Sequence, residues 1–199
     1  MLPGKLLPAS LRQGPLRGLI RKSVGAVFAV PGVAQAVDHL YGIVVILGKP
    51  KSRGSVRLTS ADPATPAIVD PQYFSDPGDM ATMVAGVRMA RRLSRSGGLS
   101  ALRSRELMPG PFAETDAELA AFVAKNAITT FHFAGTARMG DDALAVCDAR
   151  LRLKGVQGVR IADASAIPVT PVSALNAPSM LIGWRAANFV REDALPASA

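Results

Sequence analysis

Apolar positions along this chain recur with two spacings, one helical and one extended, and the switches between them mark its elements. Over residues 16–28, Leu16, Leu19, Ile20, Val24, Val27 and Phe28 line one face of a helix that Pro31 ends. Ile43-Val44-Val45-Ile46-Leu47, set between Gly42 and Gly48, has the length and β-branching of a buried strand. Pro50-Lys51-Ser52-Arg53-Gly54 reads as a turn and Ser55-Val56-Arg57-Leu58 alternates as a second strand, so a hairpin is predicted. Asp62-Pro63 and Asp70-Pro71 punctuate a loop. Asp76-Pro77 opens a helix, because aspartate accepts from exposed first-turn amides and proline suits the first helical position. Met80, Val84, Val87 and Leu93 form its buried stripe. Arg88, Arg91, Arg92 and Arg95 complement its dipole and face solvent, and Gly97-Gly98 stops it.

A second helix runs from Thr115 to Asn126, where Thr115 and Glu118 have the spacing of a capping box and Leu119, Phe122 and Val123 mark the apolar face. A Gly-rich run and a turn at Gly140-Asp141-Asp142 follow. Val159 to Ala162 reads as a short buried strand. The last helix starts near Ala177-Pro178 and continues to about Arg191, with Met180, Ile182, Ala186 and Val190 inward and Trp184 as a packing residue.

Composition narrows the class. At 199 residues, 49% hydrophobic and 19% charged, the chain can bury the core of an ordinary globular protein. No apolar run approaches the roughly 20 residues that span a bilayer, so no transmembrane segment is expected. The single cysteine, Cys147, provides neither an internal disulfide nor a metal cluster; a buried thiol in a reducing, cytoplasmic setting is the expectation. The net charge of +8 is partly concentrated at Lys5, Arg12, Arg17, Arg21 and Lys22, ahead of the first acid, Asp38. A solvated helix face or a disordered arm is expected there, and no nucleic-acid partner, since no aromatic stacking platform accompanies the charges. Pro3, Pro8 and Pro15 interrupt any secretory signal.

Three segments carry chemistry. His132 opens His132-Phe133-Ala134-Gly135-Thr136-Ala137-Arg138-Met139-Gly140, and Asn176 opens Asn176-Ala177-Pro178-Ser179-Met180. Between them lies Gly158-Val159-Arg160-Ile161-Ala162-Asp163-Ala164-Ser165-Ala166-Ile167-Pro168. Together they resemble the C-terminal part of the glucose-methanol-choline (GMC) family of flavin alcohol oxidoreductases, with Asn176 in the His/Asn variant of choline-dehydrogenase-like members. Lys49 to Asp79 is similar to that family's substrate domain, and the likeness extends over roughly residues 43–193.

Oxidising an alcohol removes a hydroxyl proton and a hydride. Histidine is suited to accept the proton near neutral pH, and a second polar group can hold the developing alkoxide. The resemblance implies that His132 is the proton acceptor, that Asn176 positions the substrate oxygen, and that the hydride passes to the flavin. It also implies cofactor contacts at Asp163, Ala164, Asn176 and Ala177. By its own pattern, without the resemblance, Asp163 reads as a loop cap or turn former. The Gly-x-Gly-x-x-Gly turn that receives a dinucleotide pyrophosphate is absent from the sequence.

The expected architecture is α+β. An antiparallel sheet with flanking helices forms the substrate domain over 41–140. Residues 141–199 supply a strand and helix of an incomplete FAD-binding domain, and 1–40 form a basic N-terminal segment. The expected function is the substrate half of an FAD-dependent alcohol oxidoreductase, working with an N-terminal FAD-binding polypeptide on a small alcohol. The alternative is a non-catalytic protein-interaction module derived from the same fold.

Overall fold

A computed structural model describes residues 38–102, 105–172 and 174–194. The chain divides into residues 1–44 and residues 45–199 as separate units. The predicted helix at 16–28 and the basic cluster lie outside the described residues. Residues 41–47 adopt no regular structure, and Val44 and Ile46 are exposed, so the strand expected there does not form.

The strand β1, Ser55–Arg57, pairs instead with β2, Ile68–Asp70, antiparallel and with Val56 opposite Val69. The reason lies in the preceding turn. The Asp79 carboxylate takes the amides of Lys51 at 2.9 Å and Ser52 at 2.8 Å, and the Ser52 hydroxyl at 2.6 Å. Ser52 Oγ in turn accepts from the Asp76 amide at 3.0 Å. The amides a hairpin turn would use are thereby committed to a helix start. Gly54 permits the crossing that follows, since a Cβ there would lie 2.2 Å from the Asp70 carbonyl oxygen.

Helix α1, Pro77–Ser94, has Asp76 as N-cap, its side chain accepting from the Gly78 amide at 2.7 Å. It ends at Ser94, and Gly97 begins a separate turn, α2, Gly97–Ser100. Helix α3, Asp116–Asn126, carries the complete Thr115–Glu118 capping box. The helices α1 and α3 pack around Val84, Leu119 and Val123, of which Leu119 is fully buried. Burying such a leucine contributes about 1.5–3 kcal/mol. Two of the arginines predicted to face solvent are tethered. Arg91 forks onto Glu106 at 2.9 Å and reaches the carbonyls of Ala113 and Gly110, while Arg88 bonds Asp116 and the Glu114 carbonyl.

The remaining core gathers Cys147, Leu151, Ala166, Ala186 and Phe189, with Met139, Ile161 and Ile182 against it. Its last helix, α4, spans Asn176–Ala194. Ala186 is buried as its spacing predicts, but Phe189 replaces Val190 as the inward residue, and Met180, Trp184 and Val190 are exposed at 68%, 60% and 53%. Arg150 and Arg185 each hold a guanidinium 4.6 Å from the Phe189 ring centroid. The strand expected at Val159–Ala162 is reduced to one bridge, Arg152 to Arg160, with Val159 exposed. Positive φ at Gly155 and Gly158 turns the chain too sharply for a longer ladder. Among the described residues the architecture is mixed: helices with one small antiparallel sheet. No helix among the described residues is long and apolar enough to cross a membrane.

Candidate functional site

After α3 the chain is irregular through Thr130 and turns at Phe131. Phe131 has φ 64°, in the left-handed region that a bulky side chain enters only when its surroundings hold it there. Its amide donates to Thr129 Oγ1 at 2.8 Å, which supplies part of that hold. The next residue is His132. Its Nδ1 accepts the main-chain N–H of Leu175, 43 positions away, at 3.3 Å. Leu175 directly precedes Asn176, the first residue of α4, and its carbonyl accepts the Ser179 amide at 2.9 Å.

The rest of the Gly-rich run docks on a single 3-10 turn, Ala164–Ala166. Gly135, Ala137 and Met139 donate their amides to the carbonyls of Ala164, Ser165 and Ala166 at 3.3, 3.0 and 2.9 Å. Gly135 sits at φ 84°, and a Cβ there would come within 3.2 Å of the Ile167 carbonyl oxygen, so glycine is needed for the dock. The other side of the run is closed by Val146 and Cys147, whose amides both reach the Arg138 carbonyl. Cys147 is wholly buried and its thiol donates to the Ala137 carbonyl at 3.3 Å. Burial, and then the charge of Asp148, push that thiol's pKa up, so it stays protonated.

Asp163 caps the 3-10 turn, its carboxylate accepting the Ser165 amide at 2.7 Å. Hydrogen bonds from the Ser165 side chain and then its amide lower the Asp163 pKa below the ordinary 3.8 and keep it ionised at neutral pH. The side chain is therefore occupied within its own loop, as the turn-former pattern allows.

The structure thus brings His132 against the residue preceding Asn176, and ties Asp163 and Ala164 to the same run through Gly135 and Ala137. His132, Asn176 and Ala177 are exposed, and Ala164 is half-buried. An imidazole and a carboxamide brought to one helix start can together handle a hydroxyl, one exchanging its proton and the other holding its oxygen.

The fit to a flavin nucleotide is partial. At the start of α4 the exposed Asn176 and Ala177 offer main-chain donors that suit an electron-rich ring oxygen. The carbonyls of Ala164–Ala166 are spent on the Gly-rich run, and no Gly-rich phosphate cradle occurs in the sequence. Among the described residues, donors suited to the ring end of such a cofactor are present and a cradle for its pyrophosphate is not.

Two features escape sequence reasoning. The Leu175 amide carries no side-chain signature, and only its position before a predicted helix start could have drawn attention to it. The Asp79 clamp joins residues in different elements, and the early position of Asp79 in its helix gives no sign of the Lys51–Ser52 turn.

Residues 50–183 match the model of the GMC oxidoreductase C-terminal region. The chain is 36% identical to the alcohol dehydrogenase (acceptor) of Pseudomonas putida over 155 residues, covering 78% of this chain and 28% of that protein. It is 43% identical to the choline oxidase of Arthrobacter globiformis over 145 residues, covering 71% and 27%. The solved structure of the formate oxidase of Aspergillus oryzae, studied for its FAD modification, superposes with a TM-score of 0.67 at 28% identity, covering 71% of this chain and 25% of that one. The chain spans 25% to 28% of the length of these three proteins.

Proposed function

The chain belongs to the GMC oxidoreductase family, and on that premise we propose that it carries the substrate side of an FAD-dependent oxidoreductase acting on the CH–OH group of a small alcohol. In this reading His132 accepts the hydroxyl proton and Asn176 holds the oxygen. The main chain at Asp163 and Ala164 lies against the flavin nucleotide, and Asn176 and Ala177 meet the flavin ring. A bound flavin supplies the hydride acceptor. Residues 41–140 act as the substrate domain and 141–199 return to the flavin side. The dinucleotide end is held by an N-terminal FAD-binding polypeptide, without which the reaction does not run.

The observation that carries this reading is the bond between the His132 ring and the amide preceding Asn176. It gathers the base and the carboxamide of the proposed chemistry at one helix start. The test is to combine the chain with an N-terminal FAD-binding polypeptide of the family. We expect a bound-flavin absorption spectrum that bleaches when alcohol is added under anaerobic conditions. A folded, flavin-loaded complex that bleaches with no alcohol sinks the reading.

A second reading, a non-catalytic interaction module on the same fold, is favoured by the exposed apolar side chains of Met180, Leu181 and Trp184 on α4. His132→Ala separates the two. A module keeps its binding, whereas an oxidoreductase loses most of its rate.

A further inference from the structure

Among the described residues, the hydrogen bonds and ion pairs of residues 45–127 form one set and those of 129–194 another, with none passing between them. One core gathers Val84, Leu119 and Val123, the other Cys147 and Phe189. A steric contact does cross between the two sets. A Cβ on Gly48 would stand 2.6 Å from Val172 Cγ1, so the Val172 side chain lies against bare main chain. Gly48 is fixed from the substrate side. Val45 sits over Gly86 of α1, where a Cβ would come 2.5 Å from its Cγ1, and the Lys51 and Ser52 amides are held by Asp79. Val172 leads to the candidate site. It stands three residues before Leu175, whose amide meets the His132 ring, and four before Asn176. From this geometry we infer that Gly48 is a positioning residue, whose missing side chain sets how near the loop entering α4 stands to the substrate side. The inference rests on the alcohol-oxidation reading above.

Carbon atoms pack at about 3.5–4.0 Å, so an alanine at position 48 falls short of that by about 1 Å. One side must yield, and the anchoring decides which. Residues 45–52 are tied to α1 at both ends, whereas Val172 is 68% exposed. The branched valine side chain is stiff at χ1, so the loop that carries it takes up the displacement. In the proposed reaction the alcohol is held by the substrate side and reacts at the start of α4. The spacing across Gly48 and Val172 therefore sets how Asn176 meets the alcohol oxygen. A remote change that misplaces such a group by about 1 Å costs on the order of 10²-fold in rate. Gly48 itself touches neither alcohol nor cofactor in this account; it acts through Val172.

The ¹⁵N-labelled chain tests the contact without flavin. In Gly48→Ala the amide resonances of Leu175 and Asn176 should move, while those of α3 keep their parent positions. Adding Val172→Ala should bring Leu175 and Asn176 back. The nearest atom left on residue 172 is then its Cβ at 3.4 Å, an ordinary contact. Resonances of Leu175 and Asn176 that ignore Gly48→Ala, or that stay displaced in the double variant, overturn the inference. Should Gly48→Ala not fold, Val172→Ala alone decides. With the contact gone, the Leu175 amide should exchange with solvent faster than in the parent, whereas that of Ser52, held by Asp79, should not. Unchanged exchange at Leu175 overturns the inference.

In the flavin-loaded complex we expect Gly48→Ala to lower kcat by about 10–10²-fold with the bound-flavin spectrum unchanged. The double variant should recover the rate of Val172→Ala alone, a non-additivity that a merely structural role of either residue does not produce. Losses that simply add, or a loss that follows the loss of bound flavin, overturn the positioning role and leave the alcohol-oxidation reading intact. That broader reading fails separately, if the loaded parent complex does not bleach with any alcohol, and the amide resonances then still decide whether Gly48 sets the loop.

Discussion

Asp79 is a carboxylate at 3% exposure that receives two amides and a hydroxyl from the Lys51–Ser52 turn. Burial alone would raise its pKa, but the Lys51 amide and the Ser52 side chain and amide outweigh it, and the net shift is downward from 3.8. A depressed carboxylate pKa means the unfolded chain binds the proton more readily. Its stabilising effect is therefore complete above 3.8 and disappears as the pH falls through the lower native value. Asp79→Asn should cost about 1–3 kcal/mol at neutral pH and flatten the acid limb of the stability curve below 3.8, as read by urea melts across pH. An unchanged acid limb would count against the clamp. His132→Ala, by contrast, should leave urea stability nearly unchanged, since the residue is exposed, while lowering kcat/KM in the loaded complex by about 10²–10⁴-fold. The identity of both residues is plain in the sequence. What cannot be read there is the partner of each, because Lys51–Asp79 and His132–Leu175 are long-range pairs made through main-chain amides common to every non-proline residue.

Helices were legible because their signals are local. Asp76-Pro77 and Thr115 with Glu118 sit within one turn of the ends they cap, and the structure places both caps as the spacing predicts. Thr115→Ala should destabilise the chain by about 1 kcal/mol, measurable by thermal melting, with α3 fraying first in hydrogen exchange. Strands were read poorly because pairing is non-local. Apolar, β-branched Ile43–Leu47 looks more strand-like than Ile68-Val69-Asp70, yet the latter pairs with Ser55–Arg57. The arginines of α1 likewise have two fates. Arg91 holds Glu106 and two carbonyls of the loop before α3, a geometry that needs a planar fork. Arg91→Lys should therefore speed amide exchange across residues 106–113 while leaving that of α1 unchanged; equal protection of both in the variant would refute the tether.

At the scale of the molecule, the family was legible from its three motifs, whereas helical spacing misassigns Met180 and Val190 of α4 as inward. Met180, Leu181 and Trp184 are 68%, 57% and 60% exposed, although the helical spacing places Met180 among the inward candidates. Spacing identifies an apolar stripe without telling which body covers it. Trp184 is the sole tryptophan, so its fluorescence reports on that side directly. Binding of an N-terminal FAD-binding polypeptide should shift its emission to the blue, and no shift in a complex that has formed would mean that α4 is not the contact.

Gly135, Ala137 and Met139 grip Ala164–Ala166 through peptide groups alone. A scaffold fastened in this way is indifferent to most of the side chains it displays. Thr136, Phe133 and their neighbours can drift by mutation while the run keeps its dock, so the surface it displays can be rewritten without rebuilding the skeleton.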